Sequence, residues 1–182
     1  MTVERFSQAA ENIGAVVARL SDVDHACRYI AERCDGPILL PTQPSLERCR
    51  LATELERQVP LVSIFDKTLA EQATAGISGA NFGIAETGTI VLESSAEPVR
   101  LATTLPPKHF VLLDPAKIVA DGRAAVPHLQ QLHCLLPQNF IAYITGPSRT
   151  ADIERVLTIG VHGPKELYIL LIDNLSSDFM ES

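Results

Sequence analysis

Tryptophan is absent from this chain and aromatics supply only 5% of its 182 residues, so a core must be built mainly from Val, Ile, Leu and Ala. Basic clusters are also missing. With a net charge of −7, nucleic acid is excluded as the primary partner, because neutralising phosphates requires grouped Lys and Arg. No long apolar run occurs: Glu4, Arg5, Glu11 and Arg19 interrupt the first twenty residues, and the apolar stretch 167–172 is far too short to span a bilayer. A cytoplasmic location without a membrane span is expected. The four cysteines, Cys27, Cys34, Cys49 and Cys134, form no CxxC pair and no cluster set, so they read as buried thiols. Five histidines fall in no HxH, HExxH or HxxxH pattern, which gives no metal site. Neither a GxGxxG fingerprint nor a GxxxxGKS loop is present, which argues against nicotinamide and ATP.

What remains is ordinary for a globular domain: 46% apolar and 20% charged residues, and length enough for one full core. Phe6, Ala9, Ile13, Val17 and Leu20 recur at helical spacing, and Ser21-Asp22-Val23-Asp24 reads as the start of a second helix running to Cys34. From Pro37 onward strand and helix alternate. Strands are expected at 38–40, 61–64, 77–84, 89–93, 109–113, 140–145 and 167–173, with helices at 46–57, 69–74, 126–132 and 151–157. This predicts an α/β fold with a mainly parallel sheet flanked by helices. A helical pair over 1–35 would pack on a main domain over 36–175, followed by a mobile polar tail over 176–182.

Three segments can carry chemistry. In Gly83-Ile84-Ala85-Glu86-Thr87-Gly88-Thr89-Ile90-Val91-Leu92, a glutamate between small and apolar residues runs into a β-branched strand. A carboxylate in an apolar turn must be paired, hydrogen-bonded or raised in pKa, and each state suits a nucleophile or base. The structural alternative is a glutamate that satisfies nearby backbone amides and holds the hairpin together. Thr87 offers a hydroxyl, and Gly88 permits a positive φ or a close approach by ligand. The segment Gly146-Pro147-Ser148-Arg149-Thr150 would lie between a strand and a helix start, where an anion is favoured by free N–H groups and by Arg149. A capped helix with a structural Arg149–Asp152 pair is the plain alternative. In Gly160-Val161-His162-Gly163-Pro164-Lys165, a constrained loop presents His162 as a possible proton carrier, and Lys165 can add a cation. A hydrogen-bonded structural role serves His162 as well, and His109 reads as a strand-entry residue.

Together these segments closely resemble the LUD-domain family, in particular its lactate-utilisation protein C branch. The resemblance implies a fold shared with ribose-5-phosphate isomerase, glucosamine-6-phosphate deaminase and CoA-transferase domains (the NagB/RpiA/CoA-transferase-like class). In CoA transferases of that fold a strand-end glutamate is acylated, and Glu86 is the candidate for the equivalent place. The resemblance further implies a part in oxidising L-lactate to pyruvate beside iron–sulfur protein partners. The chain would be a component without a cofactor of its own, not a complete enzyme, with a pocket for a small carboxylate or phosphate. A stand-alone acyl- or phosphosugar-handling enzyme using Glu86 is the alternative.

Overall fold

The computed structural model describes residues 1–62, 67–135, 137–150, 158–160 and 162–181. Its centre is a six-stranded sheet, built from β1 (Val16–Leu20), β2 (Ile38–Leu39), β3 (Leu61–Val62), β4 (Ala75–Gly79), β7 (Lys108–Leu113) and β12 (Glu166–Ile172). The order is β1-β12-β7-β4-β2-β3, and every pairing is parallel. A parallel sheet is covered on both faces, so its central strands are mostly apolar, with Ser78 and His109 buried against each other as the polar exception on β4 and β7. Along β7, Phe110 and Leu112 enter one core while Val111 and Leu113 enter another; Leu170 and Ile172 alternate in the same way with Ile169 and Leu171 on β12.

The first core is closed by α2 (Val23–Ala31), α3 (Pro44–Arg48) and α4 (Leu51–Leu55), through Ala26, Cys27, Ile30, Leu46, Leu51 and Leu55. The second is closed by α1 (Thr2–Asn12), through Phe6 and Ala10, and by a second sheet. That sheet runs β8-β5-β6-β9, from β5 (Phe82–Ile84), β6 (Thr89–Glu93), β8 (Ile118–Val119) and β9 (Ile141–Ile144). Its far face packs Phe82 and Val91 on Ala125 and Leu132 of α7 (Gly122–Leu135). Two further helices, α5 (Lys67–Gln72) and α6 (Glu97–Thr104), a 3-10 turn over Pro115–Lys117, and a ribbon of β10 (Arg149–Thr150) with β11 (Thr158–Ile159) complete the elements among the described residues.

The expected α/β architecture is present, with four differences in detail. Residues 16–20 are a strand, not a continuation of the first helix. Helix α1 stops at a Schellman turn, in which the Ala15 amide donates to the Ala10 carbonyl at 3.0 Å and the Gly14 amide to Glu11 at 2.9 Å. Beyond it Val16 and Val17 find ladder partners on β12, so the two helices expected over 1–35, α1 and α2, are present and flank a strand that forms an edge of the main sheet. Residues 46–57 break into two helices at Arg50, whose φ is 54°. The stretch 77–84 is two strands in different sheets, because the chain leaves β4 after Gly79 and re-enters pairing at Phe82.

The fourth difference is the tail. Residues 176–181 were expected to be mobile, yet they are docked. Phe179 stacks on His128 with centroids 4.0 Å apart, and Lys117 is paired with Glu181. A ring stacked on half-buried His128 and a carboxylate paired with buried Lys117 give the segment a reason to stay.

Candidate functional site

Glu86 sits in the turn between β5 and β6, where its amide donates to the Ala120 carbonyl at 3.1 Å. The side chain points outward and is 53% exposed, so the apolar enclosure expected from its neighbours is not there. Arg5 of α1 lies 3.9 Å from its Oε1, an exposed pair of small energetic weight. Solvent access leaves the carboxylate available to a ligand or a partner. It also spares the group the desolvation cost that an enclosed carboxylate would carry.

The remainder of the turn is built to receive α1. Gly88 has φ +65°, and a Cβ there would stand 2.3 Å from the Ala10 amide nitrogen. Gly146 has φ +79°, and a Cβ there would stand 2.8 Å from the Ile13 carbonyl oxygen. Both glycines therefore serve the close approach of one helix as well as a turn. Arg149 completes the contact: its guanidinium donates to the Ile13 carbonyl, an orphan of the helix end. The cation expected to hold an anion is thus turned toward a helix terminus, which favours positive charge.

A chain of hydroxyls joins the first two segments. Thr87 Oγ1 lies 2.6 Å from Thr89 Oγ1, which in turn lies 2.9 Å from Thr145 Oγ1, next to Gly146. The third segment is tied to the second through Ser148. Its amide donates to the Pro164 carbonyl at 2.9 Å, and its carbonyl accepts from the Gly160 amide at 2.8 Å. The three motifs are therefore one connected region, with α1 packed over the first two. Arg149 and Thr150 form a strand and not a helix start, because they pair with Ile159 and Thr158. The expected helix 151–157 lies outside the described residues. Pro147 is buried, while His162 and Lys165 are exposed on the turn before β12.

Other chemistry-bearing groups lie elsewhere. His109 is the second residue of β7, at the strand entry as expected; it is buried, 2.8 Å from Ser78 Oγ on β4, and burial pushes its pKa down to about 3. Burial pushes the Cys27 thiol up to about 12 and Cys34 up to about 11, and raises Cys49 as well. Such thiols are poor nucleophiles and poor metal ligands. No grouping of three or more metal-ligating side chains is found among the described residues. Arg5, Thr145 and the buried Lys117 carry no mark in the sequence, since nothing in a local pattern shows that a lone arginine, threonine or lysine belongs to a distant turn.

The LUD domain model matches residues 3–172. The chain belongs to the LUD-domain family. It is 35% identical over 159 residues to the lactate utilization protein C of Bacillus subtilis, covering 76% of this chain and 63% of that protein. Lactate utilization protein C of Geobacillus kaustophilus is 35% identical over 160 residues, covering 80% of this chain and 67% of that one. An uncharacterized protein of Neisseria meningitidis is 43% identical over 109 residues, 59% of this chain and 46% of its own length. The chain thus spans about half to two thirds of the curated relatives it matches. A crystal structure of a DUF162 family protein from Deinococcus radiodurans superposes with a TM-score of 0.64 at 16% identity, over 94% of this LUD chain and 96% of that one. That likeness establishes the fold alone.

Proposed function

We propose that this LUD-domain chain acts in L-lactate utilisation as a non-redox subunit beside iron–sulfur proteins that carry electrons away as lactate becomes pyruvate. The observation that carries the reading is family membership combined with relatives named for lactate utilization at 35% identity. The oxidation removes two electrons and two protons from the substrate. A chain whose cysteines lack cluster spacing, and of which three have thiol pKa values raised by burial, is suited to binding and assembly and not to electron transfer. Its own contribution would be the exposed Glu86 and Thr87, with His162 and Lys165 on the connected turn, meeting a small carboxylate or phosphate or a partner surface. No helix among the described residues is long and apolar enough to cross a membrane, in keeping with a cytoplasmic place for the assembly.

The convergence of the three motifs favours a second reading, in which Glu86 is the nucleophile or base of a stand-alone acyl- or phosphosugar-handling enzyme. One experiment separates the two. A host strain lacking this chain is expected to stop growing on L-lactate and to recover with the wild-type copy. Recovery with Glu86→Gln supports the subunit reading, because the amide keeps the size and hydrogen-bonding capacity of this exposed side chain and removes only the charge that a nucleophile or base requires. Failure of Glu86→Gln at normal protein levels supports chemistry at Glu86. Unimpaired growth without the chain contradicts the lactate assignment.

A further inference from the structure

The loops that follow β2, β4 and β7 meet above the carboxyl ends of these neighbouring strands. From β2 the chain moves on to β3 at one side, and from the adjacent β4 it moves on toward β7 at the other. Two neighbouring parallel strands whose connections part in this way leave a crevice at their carboxyl ends, the usual ligand place of an open α/β sheet. In this protein residues 174–181 lie across it.

Lys117 is the decisive residue there. Its side chain is 2% exposed, and lysine is almost never buried so far without partners. The ammonium donates to the Ala80 carbonyl at 2.7 Å and to the Asp178 carbonyl at 3.2 Å, and its remaining donor meets the Glu181 carboxylate. The other Glu181 oxygen accepts from the Ser45 amide at 2.9 Å and lies 3.7 Å from the Arg48 guanidinium. Glu181 reaches this position with φ 55°, a left-handed conformation that is strained for a non-glycine residue. Beside the pair, Ser45 Oγ is buried without a hydrogen-bond partner and faces Gly79 at the end of β4. A buried cation, an inward amide and an unused hydroxyl are the donors that a carboxylate or phosphate group takes.

The geometry points to a latched anion site in which the Glu181 carboxylate occupies the place of a small carboxylate or phosphate ligand held by Lys117, the Ser45 amide and Arg48. Binding of that ligand releases residues 174–181. The latch is also held by the Ser176 amide on Asp114 at 3.0 Å, by Asn81 Nδ2 on the Phe179 carbonyl at 2.9 Å, and by the Phe179 ring on His128. These contacts keep the open form a minor one, which lowers the apparent affinity of the intact protein by the open fraction. The inference stands apart from the Glu86 turn and from the lactate reading.

The test compares wild type with Glu181→Ala by calorimetric titration with acetate, pyruvate and inorganic phosphate. Glu181→Ala is expected to bind one of these anions about tenfold or more tightly than wild type, since the competing carboxylate is gone. Adding Lys117→Met to that variant should abolish the gain. Gain with acetate or pyruvate assigns a carboxylate ligand, and gain with inorganic phosphate alone assigns a phosphate. Equal binding by wild type and variant, or a gain that survives Lys117→Met, overturns the proposal. Hydrogen exchange on the unmutated protein provides a reading that does not depend on a variant folding. The best-binding anion should speed exchange at the Ser176 and Met180 amides while leaving β7 unchanged, and unaltered or slower exchange there counts equally against the latch.

Discussion

Gly88→Ala is expected to lower stability by about 3 kcal/mol, combining a left-handed backbone with a forced displacement of a packed helix. The added methyl would stand 2.3 Å from the Ala10 amide nitrogen and 2.6 Å from its Cα, where neither backbone atom can yield alone. Relief requires α1 to lift as a unit, which exposes Phe6 and Ala10, both fully buried beneath it. Urea unfolding checks this, with a lower midpoint and an unchanged slope as the expected result. Gly122→Ala is the control. It has open space at the start of α7, so its stability should stay within about 0.5 kcal/mol of wild type. A Gly88→Ala midpoint equal to wild type would show that α1 does not rest on this turn.

Acid should weaken the fold through one histidine. His109 is 1% exposed in the central sheet, and burial holds its pKa near 3, below the ordinary 6.5. The folded-state value is the lower one, so the unfolded chain binds the proton first. The stabilising contribution is therefore complete above about pH 6.5 and is lost as pH falls toward 3, at up to about 1.4 kcal/mol per pH unit. By pH 4 the loss from this group amounts to about 3 kcal/mol. Other groups titrate in the same range, so the useful quantity is the difference between wild type and His109→Gln. The variant starts less stable at neutral pH, because Ser78 loses its ring partner, but its stability should fall less steeply between pH 6.5 and 4. Parallel pH profiles would mean that His109 takes up its proton within the folded protein.

The buried strands were legible because both faces of a parallel sheet demand apolar runs, and 110–113 and 167–172 carry them. The edge strand β1 was not. Its partly exposed residues share spacing with a helix face, and only the ladder with β12 decides between them. Gly14 carried the available signal, a glycine just past the helix end. The ribbon formed by Arg149 and Thr150 depends on a partner eight or more residues further on, beyond what the local Gly-Pro-Ser pattern can report.

The candidate site divides in the same way. The sequence marked three segments, and their connection through Thr89, Thr145 and Ser148 is a matter of tertiary geometry. Local neighbours made Glu86 look enclosed, but its side chain leaves the turn toward solvent. Arg149 reads in the sequence as a partner for a carboxylate or phosphate, and its contact with the Ile13 carbonyl at the end of α1 is set by tertiary geometry. Lys117 gave no sign at all, since its partners are an oxygen on β4's following loop and a carboxylate beyond β12.

The most direct test of the subunit reading is affinity purification of the tagged chain from its host grown on L-lactate, followed by mass spectrometry, iron analysis and lactate-dependent dye reduction. The expected result is stoichiometric recovery of cysteine-rich iron–sulfur proteins, with dye reduction by the assembly and none by the chain purified alone. Lactate oxidation by the isolated chain, or its recovery without any iron-containing partner, would contradict the account.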